Sequence, residues 1–290
     1  MLTFIDWFAG IGGFRRGMEL AGHKCVGFCE FDKYAVASYT SMHLITEEQR
    51  EYLATLPLKE RQKEILKSEY RNGEWYSDDI RRVYAGDIPR ADVWCFGFPC
   101  QDISIAGYGK GFQGSRSSLF FRVMYLIGQL AEEDRPKYLF IENVKNLFSV
   151  HGGWDFARVL IEMDKVGYDA EWTLLNSKDY GVPQNRERVF IVGSMRGKCE
   201  FSLGQPESDF PNRTLADILE EDVDETYYLS DHSTRRLLAY KDAKIVDNEV
   251  SNTIHKVDGA TRGTYPIIGG GGAALKVNGY HRETDSDTCE

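Results

Sequence analysis

The chain has 290 residues, 42% hydrophobic and 28% charged, enough apolar material for one large core and a smaller appendage, and not the composition of a disordered chain. Its formal net charge of -10 argues against a uniformly basic nucleic-acid binder, and no apolar run reaches the roughly 18 residues of a membrane span. Six scattered cysteines fit reduced thiols rather than a disulfide framework, and their spacing without a His pair argues against a metal site. With a start that lacks a basic leader, a cytoplasmic protein is expected. The charge is uneven: residues 200–250 carry 13 acidic and 5 basic side chains, so eight of the ten excess negatives lie there. The rest of the chain is nearly neutral, which leaves room for a local basic face.

In chain order, the apolar run 2–8 predicts a strand that stops in Ala9-Gly-Ile-Gly-Gly13, and residues 14–21 follow at helical spacing. A second strand, 24–29, ends at Glu30, which lies 20 residues after Gly10. A nucleotide-binding βαβ unit places a ribose-binding carboxylate at about that distance. Residues 46–83 are densely charged and read as an inserted, mostly helical excursion. A third strand is predicted over 83–88, ending in a carboxylate at Asp87, and a fourth over 91–96. The fourth runs into Gly97-Phe-Pro-Cys-Gln101, where Pro99 has no amide donor and must end the strand, presenting Cys100 at the sheet edge. Ala106 to Gly114 holds four glycines and reads as a mobile loop beside that thiol.

A helix is predicted over 118–131, a fifth strand over 138–141 with Glu142 at its end, a helix over 156–165, and strands over 170–175 and 188–192. Alternation at this pace predicts an α/β fold with a doubly wound, mostly parallel sheet. Beyond Gly193 the text becomes rich in Pro, Asp and Gly. The expected domains are therefore 1–199, which carries the sheet and the 46–83 insertion, and a smaller irregular region, 200–290.

Cys100, Glu142, Glu30 and Asp87 all fall at the carboxyl ends of predicted parallel strands, the edge where such sheets bind ligands. Together with Phe8-Ala-Gly-Ile-Gly-Gly13, Gly86-Asp-Ile88, Gly97-Phe-Pro-Cys-Gln101, Glu142-Asn-Val144 and Gln184-Asn-Arg-Glu-Arg188, they resemble the ordered motifs of the cytosine carbon-5 DNA methyltransferases over about residues 3–194. The resemblance implies a Rossmann-like S-adenosylmethionine-dependent enzyme acting on double-stranded DNA. It assigns Cys100 as the nucleophile on carbon 6 of a flipped cytosine, Glu142 as the acid at ring nitrogen 3, and Arg188 and Arg186 as supports for base and thiolate. It places the cofactor on Phe8, Ala9, Gly10, Gly12 and Gly13, its ribose on Glu30, its adenine against Phe31 and Ile88 with Asp87 on the amino group, and its methionine end near Pro99 and Leu119. Gln101, Ser104, Lys110 and Arg116 are the residues it brings to DNA.

Two further motifs that close the family's pattern are not recognisable before Glu290. A shortened chain, or a second polypeptide supplying the remainder, is one expectation, and with it weak activity of the chain alone. Three other readings compete: a tRNA cytosine methyltransferase of the same family, a nicotinamide dehydrogenase that would leave Cys100, Glu142 and Arg188 idle, and a non-catalytic chain of a two-subunit assembly.

Overall fold

The computed structural model describes residues 1–98, 119–199, 201–203, 210–211 and 213–218, with short strands at 244–246, 251–252 and 266–268. The chain opens with β1 (Thr3–Trp7), α1 (Gly13–Leu20) and β2 (Lys24–Cys29), close to the bounds set by the apolar runs. The helices α2 (Lys33–His43), α3 (Glu47–Thr55) and α4 (Leu58–Glu64) follow. Their starts are written in the sequence: the Asp32 side chain accepts from the Tyr34 and Ala35 amides, and Thr46 and Gln49 form a reciprocal capping box.

The sheet continues with β3 (Trp75–Ser77), β4 (Val93–Gly97), β5 (Tyr138–Val144), β6 (Tyr168–Asn176) and β8 (Glu187–Met195), the two-residue β7 (Gln184–Asn185) lying outside it. The order across the seven-stranded sheet is β3-β2-β1-β4-β5-β8-β6. From β3 to β5 every pairing is parallel, and β8 runs antiparallel to β5. Parallel strands share one carboxyl edge, so Trp7, Cys29, Ser77, Gly97 and Val144 finish along the same rim.

The main core lies between the sheet and two helices, α5 (Leu119–Gln129) and α6 (Trp154–Lys165). In α5 the buried residues Phe120, Val123, Met124 and Ile127 recur at i, i+3, i+4 and i+7, one apolar stripe. They meet Trp7, Trp94 and Phe96 of the strands. Trp7 sits against Trp94 and Trp75 with ring centroids 4.9 and 5.6 Å away.

The third strand is a correction. It is not residues 83–88 but Trp75–Ser77, inside the stretch read as a helical insertion, and Ala85–Asp87 is instead a 3-10 turn. An edge strand of three residues between Glu74 and Asp78 carries no run of apolar residues for periodicity to detect. Of the Val83–Ile88 run, Val83 is buried in the core and Ile88 packs against it, while Tyr84 is exposed. Arg122 of α5 pins the start of this run, donating to the carbonyls of Ile80 at 3.2 Å and Val83 at 2.6 Å.

Compact packing divides the chain into two units, Met1–Leu174 with Arg188–Gln205, and Leu175–Glu187 with Pro206–Glu290. In the second unit β7 pairs in parallel with a two-residue strand, Ser251 and Asn252 lying opposite Gln184 and Asn185. Tyr180 and Phe210 pack there with centroids 5.6 Å apart.

Gly27 is what lets β3 join. A Cβ on it would lie 2.7 Å from the Trp75 carbonyl oxygen and 2.9 Å from the Trp75 Cβ, both fixed by the Gly27 to Trp75 pairing. Gly27→Ala is expected to cost about 1–3 kcal/mol of stability, read from urea denaturation. Gly17, exposed inside α1 with open space around its Cα, provides the contrast: Gly17→Ala should gain about 0.5–1 kcal/mol.

Candidate active site

Between β1 and α1 the backbone turns through three left-handed residues, Phe8 (φ 54°), Gly10 (φ 55°) and Gly12 (φ 90°). An aromatic residue there is strained, the kind of conformation that persists when surroundings enforce it. Glu30, beyond β2, is one enforcing group: its Oε2 accepts the Gly10 amide at 2.8 Å and its Oε1 the Asp32 amide at 2.7 Å. A carboxylate has about four acceptor positions, so two remain for hydroxyl donors. A Cβ at Gly10 or Gly13 would meet nothing within 4 Å, so the turn faces open space.

Phe31 follows Glu30 and is 72% exposed, an aromatic face with the Arg81 guanidinium 5.8 Å from its centroid. The carboxylates at the end of β3 are Asp78 and Asp79. Asp79 is buried and takes a forked ion pair from Arg81, with contacts of 2.7–3.0 Å. That pair holds its carboxyl below the usual carboxylate range. Asp87 and Ile88 are expected at a strand end, but no strand runs into them. They lie in and after the 3-10 turn, and Ile88 lines a cleft with Ala85, Gly86, Pro89 and Arg90 against Gln129–Asp134, residues that lead into the amino ends of β4 and β5. Asp79 and Ile80 occupy the sequence position that follows the observed third strand.

The register of β4, β5 and β8 builds the second half of the rim. Gly97 lies beside Glu142, and Val144 is opposite Arg188. Residues 142 and 144 of a strand share a face, so Arg188 is the diagonal neighbour of Glu142. The result is a pair with Arg188 Nε 2.8 Å from Glu142 Oε1, both side chains largely shielded. The other carboxylate oxygen reaches over Gly97, where a Cβ would lie 3.2 Å from Oε2. Asn143, on the opposite face, is buried and donates from Nδ2 to the Phe98 carbonyl at 2.8 Å, tying the end of β5 to the turn that leaves β4.

Pro99 and Cys100, and with them Gln101, Ser104, Lys110 and Arg116, lie outside the described residues. Leu119 is the first residue of α5, packed against the main core. Phe8 also packs against that core, and Ala9 is buried with Phe28 and Tyr39. Arg186 belongs to the second unit, where its amide donates to Asn176 Oδ1 at 3.0 Å. Three other thiols are unfit as nucleophiles. Burial pushes Cys25 and Cys29 up to about 12 and Cys95 well above the ordinary thiol value, so all three stay protonated.

Asp6, two residues before Phe8, is 1% exposed. Neither of its oxygens makes a well-aligned hydrogen bond among the described residues. Burial pushes its carboxyl well above the usual carboxylate range, and the Arg15 amide and guanidinium offset this only in part.

The sequence profile of the C-5 cytosine-specific DNA methylases matches residues 2–55 and 51–269. The type II methyltransferase M.HaeII of Haemophilus aegyptius is 34% identical over 284 residues, covering 97% of this chain and 78% of that protein. The type II methyltransferase M2.ScrFI of Lactococcus lactis subsp. cremoris is 33% identical over 265 residues, covering 80% of this chain and 71% of the relative. Among solved structures, the S. pombe Dnmt2 methyltransferase superposes with a TM-score of 0.60 at 19% identity, over 87% of this chain and 70% of that one, a likeness of fold.

Asp6 generates a test of the buried edge of the site. Its folded-state value is raised, so the folded protein keeps the proton through a pH range in which the unfolded chain has released it. Stability should therefore fall as pH rises above about 4. Asp6→Asn, of the same shape, removes that loss. The variant should be more stable than the parent at pH 7.5, with the difference shrinking toward pH 4.5, in denaturation curves at the two values. A variant less stable at both contradicts this.

Proposed function

The chain belongs to the family of C-5 cytosine-specific DNA methylases, and we propose on that premise that it methylates carbon 5 of cytosine within a specific sequence of duplex DNA. The relatives named above are type II methyltransferases, and the same modification role is carried to this chain here. The observation that supports the reading most is the Glu142–Arg188 pair at 2.8 Å, seated over Gly97 three residues before Cys100.

S-adenosylmethionine supplies the electrophilic methyl group. The residues of the first half of the rim fit it. The open glycine turn with Phe8 and Leu119 would hold the methionine end, Glu30 has acceptor capacity for ribose hydroxyls, and Phe31 offers a stacking face for adenine. Asp79 and Ile80 take the adenine-side roles first expected of Asp87 and Ile88, because they follow the strand that borders β2.

Carbon 5 of cytosine is too weak a nucleophile to attack a methyl sulfonium unaided. The Cys100 thiolate adds to carbon 6, and the displaced electron pair moves onto the ring toward nitrogen 3, where Glu142 donates a proton. Carbon 5 then carries the electron density needed to attack. After methylation a base removes the carbon-5 proton, the carbon 6 to sulfur bond breaks, and the thiolate is restored. In the free protein Glu142 Oε1 faces Arg188. To act as donor its carboxyl must hold a proton, so the pair opens as the base arrives and Arg188 turns to the base oxygen. Attack perpendicular to the ring requires the cytosine to leave the helical stack. Gln101, Ser104, Lys110 and Arg116 are proposed to hold the opened duplex, and Arg186 to support the site from the same segment as Arg188.

Incubation with S-adenosylmethionine and a duplex carrying 5-fluorocytosine in its target sequence tests this. A denaturation-resistant adduct is expected with the parent protein and lost in Cys100→Ser, while Glu142→Gln and Arg188→Ala should slow its formation by about 10²-fold or more. Adduct formation that survives Cys100→Ser, or methyl transfer to tRNA in place of DNA, contradicts it.

A further inference from the structure

The strained turn at residues 8–13 is gripped on one side by Glu30, which accepts the Gly10 amide at 2.8 Å. Glu30 also accepts the Asp32 amide, and Asp32 caps the start of α2. The far end of the same helix returns to the turn. His43, the last residue of α2, brings its Nε2 to 2.9 Å from the carbonyl oxygen of Ile11. A carbonyl can only accept, so Nε2 carries the hydrogen and donates.

The imidazole is also in steric contact with the turn. A Cβ at Gly12 would lie 2.3 Å from His43 Nε2 and 2.7 Å from its Cδ2, so the ring rests on the space that glycine leaves. Its orientation is fixed from behind. Tyr39 meets it edge-on with centroids 5.0 Å apart, and Tyr39 is itself fully buried and stacked on Phe28 of β2 at 4.1 Å. Arg15 of α1 donates to the Tyr39 hydroxyl at 3.3 Å.

We infer that His43 is a positioning residue for cofactor binding: acting through the Ile11 carbonyl, it holds the Gly10–Gly13 backbone in the shape that receives S-adenosylmethionine. The inference rests on the reading of that turn as the cofactor site. Preorganisation of this kind affects affinity and leaves the chemical step alone, since it spares the ordering that binding would otherwise require.

The test uses the purified 290-residue protein, calorimetric titration with S-adenosylmethionine and S-adenosylhomocysteine, and steady-state kinetics. His43→Phe keeps a ring on Gly12 and deletes the donor, whereas His43→Gln keeps an N–H donor. His43→Phe should raise the Kd and KM for S-adenosylmethionine about five-fold, the worth of one neutral hydrogen bond, with kcat unchanged. His43→Gln should recover part of that loss, and Gly10 and Gly12 amide exchange should speed up in the Phe variant without cofactor. An unchanged Kd in His43→Phe, a fall in kcat at constant KM, or a Gln variant no better than Phe overturns the inference. Glu30→Ala separates its failure from that of the underlying reading. Weakened binding in Glu30→Ala beside a silent His43→Phe sinks the His43 role alone, while a silent Glu30→Ala sinks the cofactor assignment and the His43 role with it.

Discussion

The diagonal contact between Glu142 and Arg188 depends on a reversal of strand direction. Had β8 joined β5 in parallel, a residue placed as Arg188 is would lie at the amino end of the sheet, far from the rim. Because β8 runs antiparallel, its first residues meet the last residues of β5, and Val144 faces Arg188. The carboxylate then has one neighbour with charge and another with no side chain, Gly97. Between them they leave Glu142 directed over the end of β4, where the chain continues to Cys100. One register thus brings together a carboxyl, a guanidinium and the approach to a thiol from three separate stretches of sequence.

The other half of the rim is organised by backbone strain. Phe8, Gly10 and Gly12 take left-handed conformations in quick succession, and such a turn is held only if polar groups answer its amides and carbonyls. Glu30 supplies acceptors at the start of α2, and the end of that helix supplies a donor. The turn and β2 are thereby linked, so that the groups proposed for ribose and methionine share one scaffold. Thiols in the same region, Cys25, Cys29 and Cys95, are sealed in apolar surroundings and fill space in the core.

Much of this was legible before any coordinates. The apolar runs 2–8, 24–29 and 91–96 are punctuated by Gly, Glu or Pro, so the strands they form end within a residue of the expected positions, while the fifth strand, expected over 138–141, runs on through Glu142 to Val144. The third strand could not be read this way. Trp75–Ser77 is short, sits among charged residues, and is a strand only because Gly27 on its neighbour has no side chain. Without it the carboxylate at a third strand end is read as Asp87, whereas Asp78 and Asp79 are the carboxylates that follow Trp75–Ser77. Asn143 was visible inside a motif, but its bond to the Phe98 carbonyl is a long-range contact that spacing does not encode. The pairing of Arg188 with Glu142 likewise needs the antiparallel register, and two arginines two residues apart do not reveal that they fall in different compact units.

The most direct measurement of the central claim is the chemical position of the transferred methyl group. The protein is incubated with tritium-labelled S-adenosylmethionine and duplex DNA, and the DNA is digested to nucleosides and separated. Label in 5-methyldeoxycytidine alone is the expected result. Label in an exocyclic N-methyl nucleoside would contradict it, because that chemistry needs neither the thiol nor the Glu142–Arg188 pair.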